Sequence, residues 1–465
     1  MKRFSKCMLT TLLIGSLFLI TSCETIDNII SSFKDTGSSV KESVTPISQG
    51  YTRPTSYEEA YTYRTDAPYK SIQSLLKTKN VESLRTTNVN DYVNAVIDFI
   101  NENGKNDFEK AKMVHDVTAL LISYDAAGFW SGNIPEQDYA NVLKRKTAVC
   151  EGYANVFYHF CSKLKLSCVV VHGYARGVGT SLIATENAGN SNHAWNMVKL
   201  DGAYYLVDCT WDSGYMDGKV SKQDYNTDWL FIKPEHMIYS RLPDNSKYQL
   251  LEKPISKEEF VKLPYWRPKF FEIAESAEIN NVQKNNQVGN NFTLKAIAKD
   301  GYSLSYSLSE ARTGKEISNR IFTKDISEGG ETVFTFPSAG AYLINVYYWK
   351  NSKAGKGCGQ FICTASEGSE VQFPQLYSND FNVKILSPAE MPLVCGQTYT
   401  FKVDGGTAGN ILLAVGKQFV PFTKNEDSIW ILEYIIPSGT KTVTIDAAKT
   451  ATARSYSGIA KYTCK

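Results

Sequence analysis

The sequence predicts an α+β protein, with a helix-rich first half packed on antiparallel strands and a second half made of strands alone. Three patterns carry this. Apolar residues recur at helical spacing between Asp91 and Tyr124. From Cys168 to Trp211 the pattern changes to strands, with Asp201-Gly202 as a hairpin signal between two of them. Beyond Pro268 alternation of period two continues almost to the end of the chain. A chain of 465 residues exceeds one ordinary core. Its 43% hydrophobic and 21% charged content are those of a globular protein. A formal charge of +2 is too small to build a field, so no nucleic-acid partner is expected.

The chain opens with Met1-Lys2-Arg3 and Lys6, followed by an apolar run from Met8 to Ile20 that is short for a membrane span. Thr21-Ser22-Cys23 then resembles the lipobox of bacterial lipoproteins. That resemblance implies a signal peptide over 1–23, lipidation of Cys23 and a lipid-anchored protein of the cell envelope. Glu24 after the cysteine favours the outer membrane or cell surface. The other reading is a conventional signal peptide with Cys23 incidental. Residues 24–55, rich in Ser, Thr, Asp and Lys, are expected to form a flexible tether.

The globular part is expected to begin at 56 and its first domain to run to 266. Tyr92, Val93, Val96, Ile97 and Ile100 mark one helix, closed by Asn103-Gly104. Phe108, Ala111, Val114, Val117, Leu120, Leu121 and Tyr124 mark a second, with Asp107 as its cap. His115 on this helix reads as a partly buried packing or hydrogen-bonding residue, with a role toward substrate as the other reading. Residues 125–146 read as a loop. A third helix starts at Cys150, and its apolar residues Tyr153, Val156, Phe157, Phe160 and Leu164 cover more than one face, as in a buried central helix. A strand from Cys168, a loop over 177–192, and a hairpin from Asn192 to Leu200 and Ala203 to Trp211 complete the core.

The hairpin makes a geometric prediction. With Asp201-Gly202 as a two-residue turn, Leu200 faces Ala203, His193 faces Thr210, and Trp195 faces Asp208. His193 and Asp208 are then diagonal neighbours on one face, within hydrogen-bonding reach. Cys150 stands at a helix N-terminus, where unpaired N–H groups and a nearby imidazolium would lower a thiol pKa. A thiolate there is a nucleophile for a carbonyl carbon, with His193 as general base and acid and Asp208 fixing its tautomer. The backbone N–H of Cys150 is an oxyanion donor; a second donor is not identified. Trp195 either lines an acyl pocket or packs the hairpin. No cofactor is required, and no CxxC pattern points to a metal.

The segments Val149-Cys150-Glu151-Gly152-Tyr153-Ala154, His193-Ala194-Trp195 and Tyr205-Leu206-Val207-Asp208-Cys209-Thr210-Trp211 resemble the transglutaminase-like superfamily, and look most like its kyphoscoliosis-peptidase-type branch. The resemblance covers 90–265, with Asp228-Trp229-Leu230-Phe231 among its later segments. It implies a papain-like transglutaminase core with Cys150, His193 and Asp208 as the triad. It also implies hydrolysis or transamidation of amide bonds in protein or peptide substrates, with cell-wall material a further candidate. A different reading keeps the fold without the chemistry, as a surface scaffold for binding or adhesion.

The second half is expected to hold two β-sandwich-like modules, at 267–375 and 376–465. Tyr399 to Val403 resembles Phe292 to Ala296, and Ser428 to Pro437 resembles Thr332 to Pro337, as in divergent repeats. Such modules bind cell-wall polymer or protein, or act as spacers. Cys358 and Cys363, five apart on one expected strand, should face opposite sides, whereas Cys395 and Cys464 could join the edges of the last module.

Overall fold

The computed structural model describes residues 51–65, 67–177, 191–275, 279–324, 330–350, 355–377 and 381–465. The expected signal peptide, Cys23 and nearly all of the tether lie outside these residues, as does most of the loop expected over 177–192. The chain divides into two units. Of the described residues, those within 51–177, 191–234 and 241–254 belong to the first, and those within 235–240 and 255–465 to the second.

Three short helices, Glu58–Thr62, Lys70–Leu76 and Lys79–Thr87, precede the two expected from periodicity. Their weak apolar pattern gave no signal in the sequence. The expected helices are Val89–Asn103 and Asp107–Leu121. Asn88 caps the first by accepting from the N–H groups of Asn90 and Asp91. Asn106, rather than the expected Asp107, caps the second by accepting from Glu109 N–H. The stretch expected as a loop holds two more helices, Ala126–Ser131 and Tyr139–Arg145. The helix Cys150–Lys163 runs through the middle of this unit. Val156, Phe157 and Phe160 are wholly buried among Val93, Val96, Ile100, Val114 and Val117, which is why its apolar residues wrap more than one face.

This helix packs on a five-stranded antiparallel sheet. Its strands, in spatial order, are Leu230–Ile232, Ala203–Val207, His193–Leu200, Cys168–Ala175 and Arg241–Pro243. The hairpin register is the one set by Asp201-Gly202, with Leu200 opposite Ala203 and Asn196 opposite Val207. Both turn residues have positive φ, 45° and 81°, the conformation of a two-residue hairpin turn. The second strand is shorter than expected. It stops at Val207, and Cys209–Ser213 is a short helix capped by Asp208, whose carboxylate accepts from Trp211 N–H. A carboxylate that can take a backbone N–H lets the chain leave the ladder. Thr210 is therefore helical and does not face His193, and Trp195 has no ladder partner at Asp208.

The second unit contains two hydrophobic cores. One is filled by Trp266, Ile344, Val346 and Phe361 from a five-stranded sheet and by Leu294 and Phe334 from a three-stranded one. The other is filled by Ile411, Val443 and Ile459 from one sheet and by Phe401, Val403 and Trp430 from another. Each is a sandwich of two sheets. Tyr265–Trp266 pairs with Lys356–Ala365, so this strand belongs to the second unit. A bulge at Cys358 shifts that strand's alternation, and Cys358 and Cys363 are both buried in the first of these cores instead of facing opposite sides. Cys395 and Cys464 lie on neighbouring segments near the C-terminus, both as free thiols.

Candidate active site

Cys150 is the first residue of its helix, behind the extended Val149. Gln137 secures this start by accepting from Val149 N–H at 3.0 Å. The thiol is buried, at the start of the helix that packs on the strand His193–Leu200. Gly152 follows in the first turn, and a Cβ there would stand 2.6 Å from both Ala148 Cβ and Gln137 Oε1. The close packing around the cysteine needs glycine at that position.

His193 opens its strand, opposite Gly173. Its Nε2 is 2.8 Å from Asp208 Oδ2, so the pair expected from the hairpin forms, although Asp208 reaches it from a helix cap. Trp195 stacks on the imidazole, with ring centroids 5.9 Å apart and planes 26° apart. Only 1% of Trp195 is exposed, so it packs behind His193. Gly173 makes room for that indole, since a Cβ there would approach Trp195 Cη2 to 2.7 Å.

Arg241 is the residue that sequence reasoning missed. It is wholly buried, and its Nε and Nη2 donate to Asp208 Oδ2 at 3.2 and 3.0 Å. The guanidinium carbon lies 4.2 Å from the ring centroids of both Trp211 and Trp229, two indoles that meet each other edge-to-face. No motif marks Arg241, which lies 33 residues beyond Asp208 on a three-residue strand.

The electrostatics follow from this burial. Desolvation alone would raise the Asp208 carboxyl, but His193 and Arg241 outweigh it and hold the group below its ordinary range. Desolvation lowers His193 from its ordinary value and Arg241 adds to this, while Asp208 opposes both. For Cys150 the expectation is reversed. Burial, reinforced by Glu151, pushes its thiol up to about 12 despite the N–H of Ala194. The helix N-terminus does not overcome desolvation here. Burial thus favours the neutral form of both the Cys150 thiol and the His193 imidazole.

Residues 91–209 match the Transglutaminase-like superfamily family model, so the chain carries a transglutaminase-like domain. It is 29% identical over 181 residues to mouse kyphoscoliosis peptidase, covering 38% of this chain and 27% of that protein. It is 31% identical over 167 residues to the human protein of that name, covering 36% and 25%. Hillarin of Drosophila melanogaster is 29% identical over 133 residues, covering 26% and 16%. The matched region thus spans about a quarter of the length of the mouse and human relatives. A solved TGase crystal structure matches 36% of this chain and 41% of its own, at 21% identity and a TM-score of 0.22.

Proposed function

We propose that this chain is a cysteine-dependent acyl-transfer enzyme acting on amide bonds of protein or peptide substrates, with Cys150 as nucleophile, His193 as base and acid, and Asp208 as orienter. The carrying observation is an imidazole whose Nε2 is fixed by Asp208, on the first residue of the strand that packs against the helix begun by Cys150. The remaining nitrogen, Nδ1, is then the one to exchange a proton with the thiol. The protonated thiol and neutral imidazole suit general-base catalysis, in which the proton moves to His193 as the bond forms.

The first half-reaction forms an Sγ–C bond at the substrate carbonyl. The proton taken by His193 passes to the leaving nitrogen as the C–N bond breaks, leaving a thioester and a free amine. Water or a second amine then attacks the thioester, loses its proton to His193 and returns the thiol. The oxyanion formed in each step is within reach of N–H groups at the N-terminus of the Cys150 helix. Lipidation at Cys23 would hold this chemistry at the cell envelope.

Iodoacetamide labelling of the full chain tests the nucleophile. Cys150 should label faster than the other thiols near neutral pH, and His193→Ala should slow it at least tenfold. Labelling of Cys150 no faster than the partly exposed Cys168 would overturn the enzyme reading in favour of a silent scaffold. Trapping the acyl-enzyme from envelope extracts, then adding water or an amine, distinguishes hydrolysis from transamidation by product mass.

A further inference from the structure

Behind Asp208 lies a second set of buried charged groups that the proposed chemistry does not use. His115 and Asp116, from the helix Asp107–Leu121, and Asp212, from the helix capped by Asp208, are all fully buried. His115 Nε2 is 2.9 Å from Asp212 Oδ2, and its Nδ1 is 3.3 Å from Asp116 Oδ1. Lys112, equally buried, donates to both Asp116 oxygens at 2.6 and 2.7 Å and lies 3.0 Å from the Tyr225 hydroxyl. That hydroxyl also donates to Asp116, and Tyr69 N–H donates to Asp116 Oδ2 at 2.8 Å. Asp228 faces Asp212 as a further like charge.

The connection to the site runs through the backbone of Trp229. Both Asp212 oxygens accept from Trp229 N–H, at 3.0 and 3.1 Å. The carbonyl of the same residue accepts from Asp208 N–H at 3.0 Å, and its indole lies against the Arg241 guanidinium, 4.2 Å from the guanidinium carbon. Asp212 therefore holds, through the N–H of Trp229, the residue whose carbonyl anchors the backbone of Asp208 and whose indole lies against Arg241. A turn residue would need none of this. Burying two carboxylates, a lysine and an imidazole costs several kcal/mol unless each is paired. Here every member is paired, in an arrangement that ties two helices to one residue.

We propose that His115 and Asp212 are positioning residues for the candidate triad, setting through Trp229 the place from which Asp208 orients His193. This rests on the proposed chemistry for its purpose but not for its physical test. Burial raises Asp212 to about 6 against the pull of His115. Burial works to lower His115, but Asp116 and Asp212 outweigh it and hold the imidazole above its ordinary value. The two are thus coupled through a 2.9 Å hydrogen bond, and Asp212→Asn weakens that coupling at almost constant volume.

The test is a histidine-selective NMR titration of the full chain, with the His193 signal identified by its loss in His193→Ala. In Asp212→Asn the His193 midpoint should move down by roughly half a pH unit or more, about a threefold loss of support from Asp208. Cys150 alkylation should slow at least tenfold, and Tyr225→Phe, which trims the network without removing a charge, should slow it two- to threefold. A folded Asp212→Asn with an unchanged His193 midpoint overturns the inference, even if its melting temperature falls. If Asp212→Asn does not fold, a Tyr225→Phe chain with the wild-type midpoint and rate overturns it. Slow labelling of wild-type Cys150 with the midpoint shift intact would count against the enzyme reading and leave the positioning role standing.

Discussion

The two units bury different things. In the first, Lys112, His115, Asp116, Asp208, Asp212 and Arg241 are buried close to one another. The cores of the second are aromatic and aliphatic, and Arg320 is its buried charged residue among those described. Arg320 serves two backbone carbonyls, of Ser369 and Val371. A sandwich needs only matched apolar faces. The first unit holds charges in place at a cost in desolvation that packing alone would avoid. Buried, mutually paired charges of this kind cluster at functional sites, and the proposed chemistry would use this one.

Five substitutions would break or sharpen that contrast. Arg241→Leu should have the largest effect, about 3–5 kcal/mol in urea unfolding, because it leaves the Asp208 charge buried with one partner fewer. Its pH dependence has a definite sign. A carboxyl held below its unfolded value contributes stability above that value and loses it as pH falls through the folded one. The gap between wild type and Arg241→Leu should therefore be widest near neutrality and narrow below about pH 4. An equal gap at all pH values would mean that Arg241 acts by packing.

Phe401→Ala in the second unit should cost about 3–4 kcal/mol through the cavity it leaves. Its cost should not vary with pH between about 4 and 8, because Phe401 lies in a core of apolar side chains. A strong pH dependence would show that the second unit also relies on charge.

Gly202→Ala and Gly416→Ala form a matched pair, with φ of 81° and 60° in two-residue hairpin turns. Each should cost about 1–2 kcal/mol, the strain of a side chain in the left-handed region. Only Gly202→Ala should also slow Cys150 alkylation, because its turn sets the register behind His193 and Asp208. Equal, negligible effects on alkylation would mean that the network holds the site without the hairpin.

The smallest effect is expected from Glu82→Gln. Arg85 and Lys146, 2.8 and 2.7 Å away, hold the Glu82 carboxyl down to about 2, against partial desolvation. Solvent screening at this half-exposed site keeps the cost below about 1 kcal/mol. That contribution should fade as pH drops from about 4.5 towards 2. A larger loss would place Glu82 with the buried charges and weaken the division between surface pairs and the core network.

The sequence by itself determined what local chemistry can specify. Asp201-Gly202 set the register because few residue pairs accept two positive φ angles in succession. The apolar spacing of Tyr92 to Ile100 and of Phe108 to Leu121 identified two core helices. The order of Cys150, His193 and Asp208, each in its own local setting, located the candidate site. The early helices were not legible, because they are short and depend on the core they cover. Only the tertiary structure decided the rest. Arg241 reaches Asp208 from a strand with no pattern of its own, and His115 meets Asp212 across 97 residues of chain. The raised Cys150 thiol is also a tertiary result. A helix N-terminus is visible in sequence, whereas desolvation is set by everything packed around the sulfur.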